Sequence, residues 1–220
     1  MNIKQLKDFF EKEKIPHIPK SKLTFLKISK QPHYENVMSN IYAFFFNSEQ
    51  EHGFKDLFLN SLHQCIIENE KWKDFPFYND YTVKTEYTTK KRGRIDLLLK
   101  NESSAIIIEN KMYHHLDNGL NDYWISGTED LDTSDESIGV ILSLKKIEPG
   151  NKNFINITHQ QLMKKIRHNF GAYLLDAKPK YIVYFQDFQQ NIDNLSKKNM
   201  KQEHLDFYIF HITEQSMLIV

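Results

Sequence analysis

Apolar residues recur at helical spacing through the first third of the chain and at strand spacing in its middle. Residues 2–14 set Ile3, Leu6, Phe9 and Phe10 between charges, and Pro16 and Pro19 end that pattern, which predicts a short amphipathic helix. From Tyr34 to Phe46, the positions Val37, Met38, Ile41, Tyr42, Phe44 and Phe45 fit a 3.6-residue period that Asn47-Ser48 breaks. A further helix is expected over Phe54 to Asn69. Its buried face would be Phe54, Leu57, Phe58, Ser61, Leu62, Cys65 and Ile66, with Gly53 at the turn before it.

After Pro76 the pattern changes to alternation and β-branched runs, which predict strands over Tyr81 to Thr88, Arg94 to Leu99 and Ala105 to Glu109. Leu116 to Ile125 reads as a helix, Ile138 to Leu144 as a strand, and Gln160 to Leu175 as a helix opened by Thr158 as N-cap. Tyr181 to Leu195 is expected to be helical, while Asp206 to Ile212 and Met217 to Val220 alternate like strands. The order is helix, helix, three strands, helix, strand, helix, so the class is α/β. Neither an internal repeat nor a Pro/Gly/Ser linker divides the chain.

Composition removes several alternatives. At 220 residues, with 40% hydrophobic and 13% aromatic content, the chain has enough core material to fold without staples. Its longest apolar runs, such as Ile41 to Phe46, fall far short of the roughly 20 residues that span a bilayer. The N-terminus runs into a charged helical pattern instead of an apolar leader, so no membrane partner and a cytoplasmic location are expected. Cys65 is the single cysteine, which leaves no internal disulfide and no CxxC zinc site; a buried structural thiol is expected. The five acids between residues 127 and 137 do not fit an EF-hand, because Asp135 stands at the glycine position and Ile141 at the last glutamate when Asp130 is taken as the first. A solvated loop is expected there.

The net charge is zero, so any nucleic-acid contact must be local. Of the 29 Lys and Arg residues only three are Arg, and two of them, Arg92 and Arg94, lie two residues apart. A guanidinium kept there suggests carboxylate or phosphate recognition.

Those arginines open the segment that carries chemistry. It reads Lys90-Lys91-Arg92-Gly93-Arg94-Ile95-Asp96-Leu97-Leu98-Leu99-Lys100, then the turn Asn101-Glu102-Ser103-Ser104, then Ala105-Ile106-Ile107-Ile108-Glu109-Asn110-Lys111. A hairpin that pairs Lys100 with Ala105 sets Asp96 opposite Glu109 and Arg94 opposite Lys111. All four charges would then share one face. One reading is a lattice of salt bridges. The other is a site where two close carboxylates need a cation between them. Apolar runs on both faces of these strands imply cover on both sides, which makes buried charge costly and favours the functional reading.

At these residues the chain resembles the PD-(D/E)XK nuclease superfamily. Ile95-Asp96 stands for the first half of its motif, with Ile95 in place of proline, and Glu109-Asn110-Lys111 for the second half. The upstream stretches Tyr34 to Ser39, Ala43 to Asn47 and Glu51 to Leu59 are similar to an uncharacterised prokaryotic branch of that superfamily. The resemblance implies a restriction-endonuclease-like core in αβββαβ order, a mixed sheet flanked by helices, over about residues 34–145. Extra N- and C-terminal helices and C-terminal strands would complete one domain over 1–220, with an extension over 150–220.

It further implies Mg²⁺ or Mn²⁺ held by Asp96, Glu109 and the backbone carbonyl of Asn110, with Lys111 orienting a water, and products with a 5′-phosphate and a 3′-hydroxyl. Glu35 is either a third acidic ligand or a glutamate at a helix start favoured by the dipole. Arg92, Arg94, Lys90 and Lys91 are expected to contact backbone phosphates. The family's Gln-X-X-X-Tyr pattern is only half present: Tyr123 stands at the Tyr position and Gly119 at the Gln position, with Asn118 a substitute for the missing amide and Tyr123 alternatively a core aromatic. The leading expectation is therefore a metal-dependent deoxyribonuclease of prokaryotic defence or mobile-element biology. The alternatives are an idle nucleic-acid-binding or assembly module on the same fold, and an RNA-cleaving enzyme. Targeting is left open between a homodimer and a separate partner protein.

Overall fold

The structure, a computed structural model, describes residues 21–112 and 119–197. The expected helix over 2–14, the expected strands beyond Asp206, and Asn118 lie outside the described residues. The elements are α1 (Phe25–Ile28), α2 (Glu35–Phe46), α3 (Leu57–Ile67), β1 (Thr82–Thr88), β2 (Arg94–Lys100), β3 (Ala105–Lys111), α4 (Leu120–Gly127), β4 (Ile138–Ser143), β5 (Phe154–Thr158) and α5 (His159–Asn169). Short 3₁₀ turns follow α3 and α5, and a last helix, α6, covers residues 179–197.

The five strands form one mixed sheet in the order β1-β2-β3-β4-β5. β1, β2 and β3 are an antiparallel meander, whereas β4 runs parallel to β3 and β5 parallel to β4. This is the αβββαβ core that the sequence predicts, with β5 added at one edge. β5 escapes the sequence reading because its five residues abut the helix that follows. No helix lies between it and β4 to signal a parallel crossover.

Apolar runs in β2, β3 and β4 bury both faces of the sheet, as strands covered on two sides require. One face carries Leu97, Leu99, Ile106, Ile108, Val140 and Leu142 into the large core with α2, α3, α5 and α6. The other carries Ile95, Leu98, Ile107 and Ile141 against α4 in a smaller core. All seven residues expected to face inward from the α3 region are buried. Their phenylalanines stack: Phe45 lies 5.4 Å from Phe54 and 4.9 Å from Phe58, centre to centre. Such pairs add about 0.5–1.5 kcal/mol each beyond burial. Gly53 sits at φ +73°, and a Cβ there would come within 2.0 Å of the Asp176 carbonyl oxygen, so only glycine makes this turn.

α5 starts one residue earlier than expected and stops earlier, at Asn169. Its start is fixed by a full capping box, in which the Thr158 hydroxyl accepts the Gln161 N–H while the Gln161 side chain accepts the Thr158 N–H.

Candidate active site

The site lies at the end of β3, where β2 begins and α2 points its N-terminus. The register between β2 and β3 is the expected one as far as it runs: Lys100 pairs with Ala105, Leu99 with Ile106, Leu98 with Ile107 and Leu97 with Ile108. The ladder ends there. At the next position the Asn110 N–H donates to Asp96 Oδ2 at 2.7 Å, so a carboxylate takes up a backbone donor that a continuing ladder would have used. β1 breaks at the same level. Its pairing with β2 passes from Thr85–Leu97 to Tyr87–Ile95, and Glu86, which faces Asp96, stands at φ +52°. Ile95 accordingly joins the smaller core while Leu97 joins the larger one, a switch of face across Asp96 that strict alternation forbids.

Asp96 and Glu109 bring their carboxyls close enough for each to bear on the other's charge. Both are largely withdrawn from water. Burial raises the pKa of Asp96 above the ordinary carboxylate range, against the pull of the Asn110 amide and Lys111. Burial and then the Asp96 charge push Glu109 up to about 7. Lys111 Nζ lies 2.8 Å from Glu109 Oε1 and 3.8 Å from Glu35 Oε2, and only 11% of its side chain is exposed. Burial works against the ammonium, yet Glu109, Glu35 and Asp96 outweigh it and hold the pKa above the ordinary lysine value.

Glu35 occupies the first turn of α2, where the helix dipole favours a carboxylate. Its Oε1 accepts the Met112 N–H at 2.8 Å, so this end of α2 clamps the strand end that follows Lys111. Asn110 closes the same joint from the other side, its side-chain amide donating to the Glu35 carbonyl at 3.1 Å and to Ser39 Oγ at 2.9 Å.

Arg94 corrects the expectation. It pairs with Thr88 of β1, its side chain is 63% exposed, and it bridges Glu86 at 3.3 Å. The hairpin register cannot be extended to an Arg94–Lys111 pair, because β2 and β3 have already parted at Asp96. Three of the four charges assemble, and the fourth turns away. Arg92 is exposed at φ +63° in the tight turn between β1 and β2, where the Thr89 N–H donates to the Gly93 carbonyl at 2.9 Å. Lys90 in the same turn is held by Glu129 at 2.6 Å. Tyr123 packs against the smaller core, as the core-aromatic alternative had it. Its ring fills the space beside Gly119, where a Cβ would lie 3.2 Å from the ring. A side chain at that position would need the ring to give by a few tenths of an ångström. Asp122 ties the turn to α4 by accepting the Thr89 hydroxyl.

The donors suit a hard divalent cation. Glu109 Oε2 is buried without a hydrogen-bond partner, and burial disfavours the charged form of both crowded carboxyls, an arrangement that a cation between them would suit. No three His, Cys, Asp or Glu side chains converge among the described residues, because Glu35 is turned to the Met112 amide and Lys111. The available set is thus Asp96, Glu109 and the backbone carbonyl of Asn110, all oxygens.

Sequence reasoning missed Ser39, Tyr42 and His159 around this site. The signal was present: Glu35, Ser39 and Tyr42 form a polar stripe at helical spacing on a helix whose other inward residues are apolar.

Comparison with known proteins agrees with the geometry. No curated protein and no solved structure matches the chain. A family model described as the PD-(D/E)XK nuclease superfamily matches residues 23–211, most of the chain, and spans every residue of the site. With its mixed sheet, its flanking helices and its acid-acid-lysine centre, the chain belongs to the PD-(D/E)XK nuclease superfamily, whose members are metal-dependent nucleases.

Proposed function

We propose that this nuclease is a Mg²⁺- or Mn²⁺-dependent deoxyribonuclease that hydrolyses DNA phosphodiester bonds. The observation that carries this reading is the pair of half-buried Asp96 and buried Glu109 beside Lys111, with one glutamate oxygen unpartnered. Asp96, Glu109 and the Asn110 carbonyl are the donors that would hold the ion. Once bound, it supplies positive charge that polarises a phosphodiester and acidifies a nearby water.

The chain's own groups do the rest. Glu109 and Glu35 pair with the Lys111 ammonium and hold it beside the acids. An ammonium there orients an attacking water and offsets charge developing on the phosphate. Arg92 and Lys91, exposed on the turn between β1 and β2, are the candidates for backbone phosphate contacts. Arg94 remains a weaker candidate at the outer edge of that strand pair, and Tyr123 supports the turn from beneath. Neither sequence preference nor base reading is part of this proposal, since these groups recognise phosphate.

The test is nicking of a supercoiled plasmid with Mg²⁺. Lys111→Ala should lower the rate at least about a hundredfold, and EDTA should abolish it. Parallel assays with single-stranded DNA, duplex DNA and RNA decide the substrate. Failure to cut any of them with a full complement of metal would favour the second reading, a binding or assembly module, which Gly119 in place of the family's glutamine supports. A cytoplasmic setting, a role in defence against mobile elements and a homodimer or targeting partner belong to the proposal by analogy with relatives of this kind.

A further inference from the structure

Glu35, Ser39 and Tyr42 follow one another along α2 at steps of four and three residues, so they lie on one stripe of the helix. The first two hold Met112 and Asn110, the residues on either side of Lys111. Tyr42, the third, is wholly buried and stacks on His159 with ring centres 5.7 Å apart, its hydroxyl 2.8 Å from His159 Nδ1. Burial keeps the phenol protonated, and a hydroxyl that donates to Nδ1 leaves the imidazole proton on Nε2. His159 is the first residue of α5, fixed in place by the capping box at Thr158, and it too is wholly buried.

His159 Nε2 has no hydrogen-bond partner, although the Lys111 backbone lies beside it. An orphaned N–H in a core is costly, and a nonpolar ring would fill the same space without that cost.

We propose that His159, held in one tautomer by Tyr42, is a positioning residue for Lys111: its Nε2–H engages the Lys111 carbonyl and fixes the strand end from which the ammonium reaches Glu109. The three-residue stripe of α2 then grips residues 110, 111 and 112 in turn, the middle one through His159. This proposal rests on the reading of Lys111 as the catalytic lysine.

The experiment measures kcat and KM for plasmid cleavage, and hydrogen exchange of the Met112 amide in metal-free protein, for the wild type, Tyr42→Phe, His159→Leu and His159→Gln. Glutamine carries an N–H at a similar reach. Tyr42→Phe and His159→Leu are expected to lower kcat at least tenfold with KM within twofold, and to speed Met112 exchange at least tenfold; His159→Gln stays within threefold on each. Equal impairment in His159→Gln and His159→Leu, or wild-type kcat and exchange in Tyr42→Phe, would overturn the proposal. Should His159→Leu fail to fold, Tyr42→Phe still decides, since it removes one oxygen and keeps the ring. If the wild type cuts nothing, the nuclease reading fails by itself while the exchange data still judge the positioning role.

Discussion

Glu109 is the residue on which stability and activity pull in opposite directions. Its pKa in the folded protein lies at about 7, above the 4.5 of a free glutamate, so between those values the folded state holds a proton that the unfolded chain has released. The contribution of Glu109 to the stability of the metal-free protein should therefore be greatest below the ordinary carboxylate range, fall by up to about 3 kcal/mol as pH rises toward 7, and level off above it. Divalent-ion affinity should do the reverse and rise through the same window, because the ion displaces that proton. Glu109→Gln tests both ends: in denaturant titrations without metal it should stabilise the protein at pH 8 and change it little at pH 5, while cleavage is lost. Equal effects at the two pH values would show that Glu109 is not the group that holds the proton. Cys65, buried with its thiol pushed up to about 12, is the inert thiol that its neighbours in the sequence suggested.

Between residues and fold, the break in β1 and β2 decides where the acids point. The α2 and α3 faces, the three meander strands and the β2–β3 register were legible because apolar periodicity carries them. The break at Asp96 was not, because it depends on Glu86, a residue of ordinary strand composition that takes a left-handed backbone. That conformation costs an L-residue roughly 1–2 kcal/mol and persists where the surroundings demand it. The order of substitutions at 86 should consequently invert. Valine stabilises a typical strand relative to glycine by up to about 1 kcal/mol, but here Glu86→Gly should be more stable than Glu86→Val by about 1–2 kcal/mol in chemical denaturation. The usual order would mean that the kink is not imposed on the strand. Arg94 belongs to the same lesson. Its place in the site followed from extending a flat register, and the real strand pair parts after Leu97–Ile108, three positions short of that extension.

Over the whole molecule, the neutral charge and the mixed sheet set what the surface can do. Among the described residues the order of elements was legible save α1 and β5, since that order follows from local pattern. The juxtaposition of Asp96, Glu109 and Lys111 in the candidate site was legible, and its neighbours on distant segments, such as His159 beside the Lys111 backbone, were not. No helix among the described residues is long and apolar enough to cross a membrane. With zero net charge and Lys90 already paired, binding to duplex DNA should rest on few contacts. Arg92→Ala and Lys91→Ala should each reduce the slope of log affinity against log salt by about 0.9, and unchanged slopes would place the DNA elsewhere. The most direct measurement is Mn²⁺ binding followed by electron paramagnetic resonance on the wild type, Asp96→Asn and Glu109→Gln. The account predicts that the wild type sequesters the ion and that either substitution abolishes this while the far-ultraviolet circular dichroism stays unchanged. Undiminished Mn²⁺ binding in both variants would contradict it.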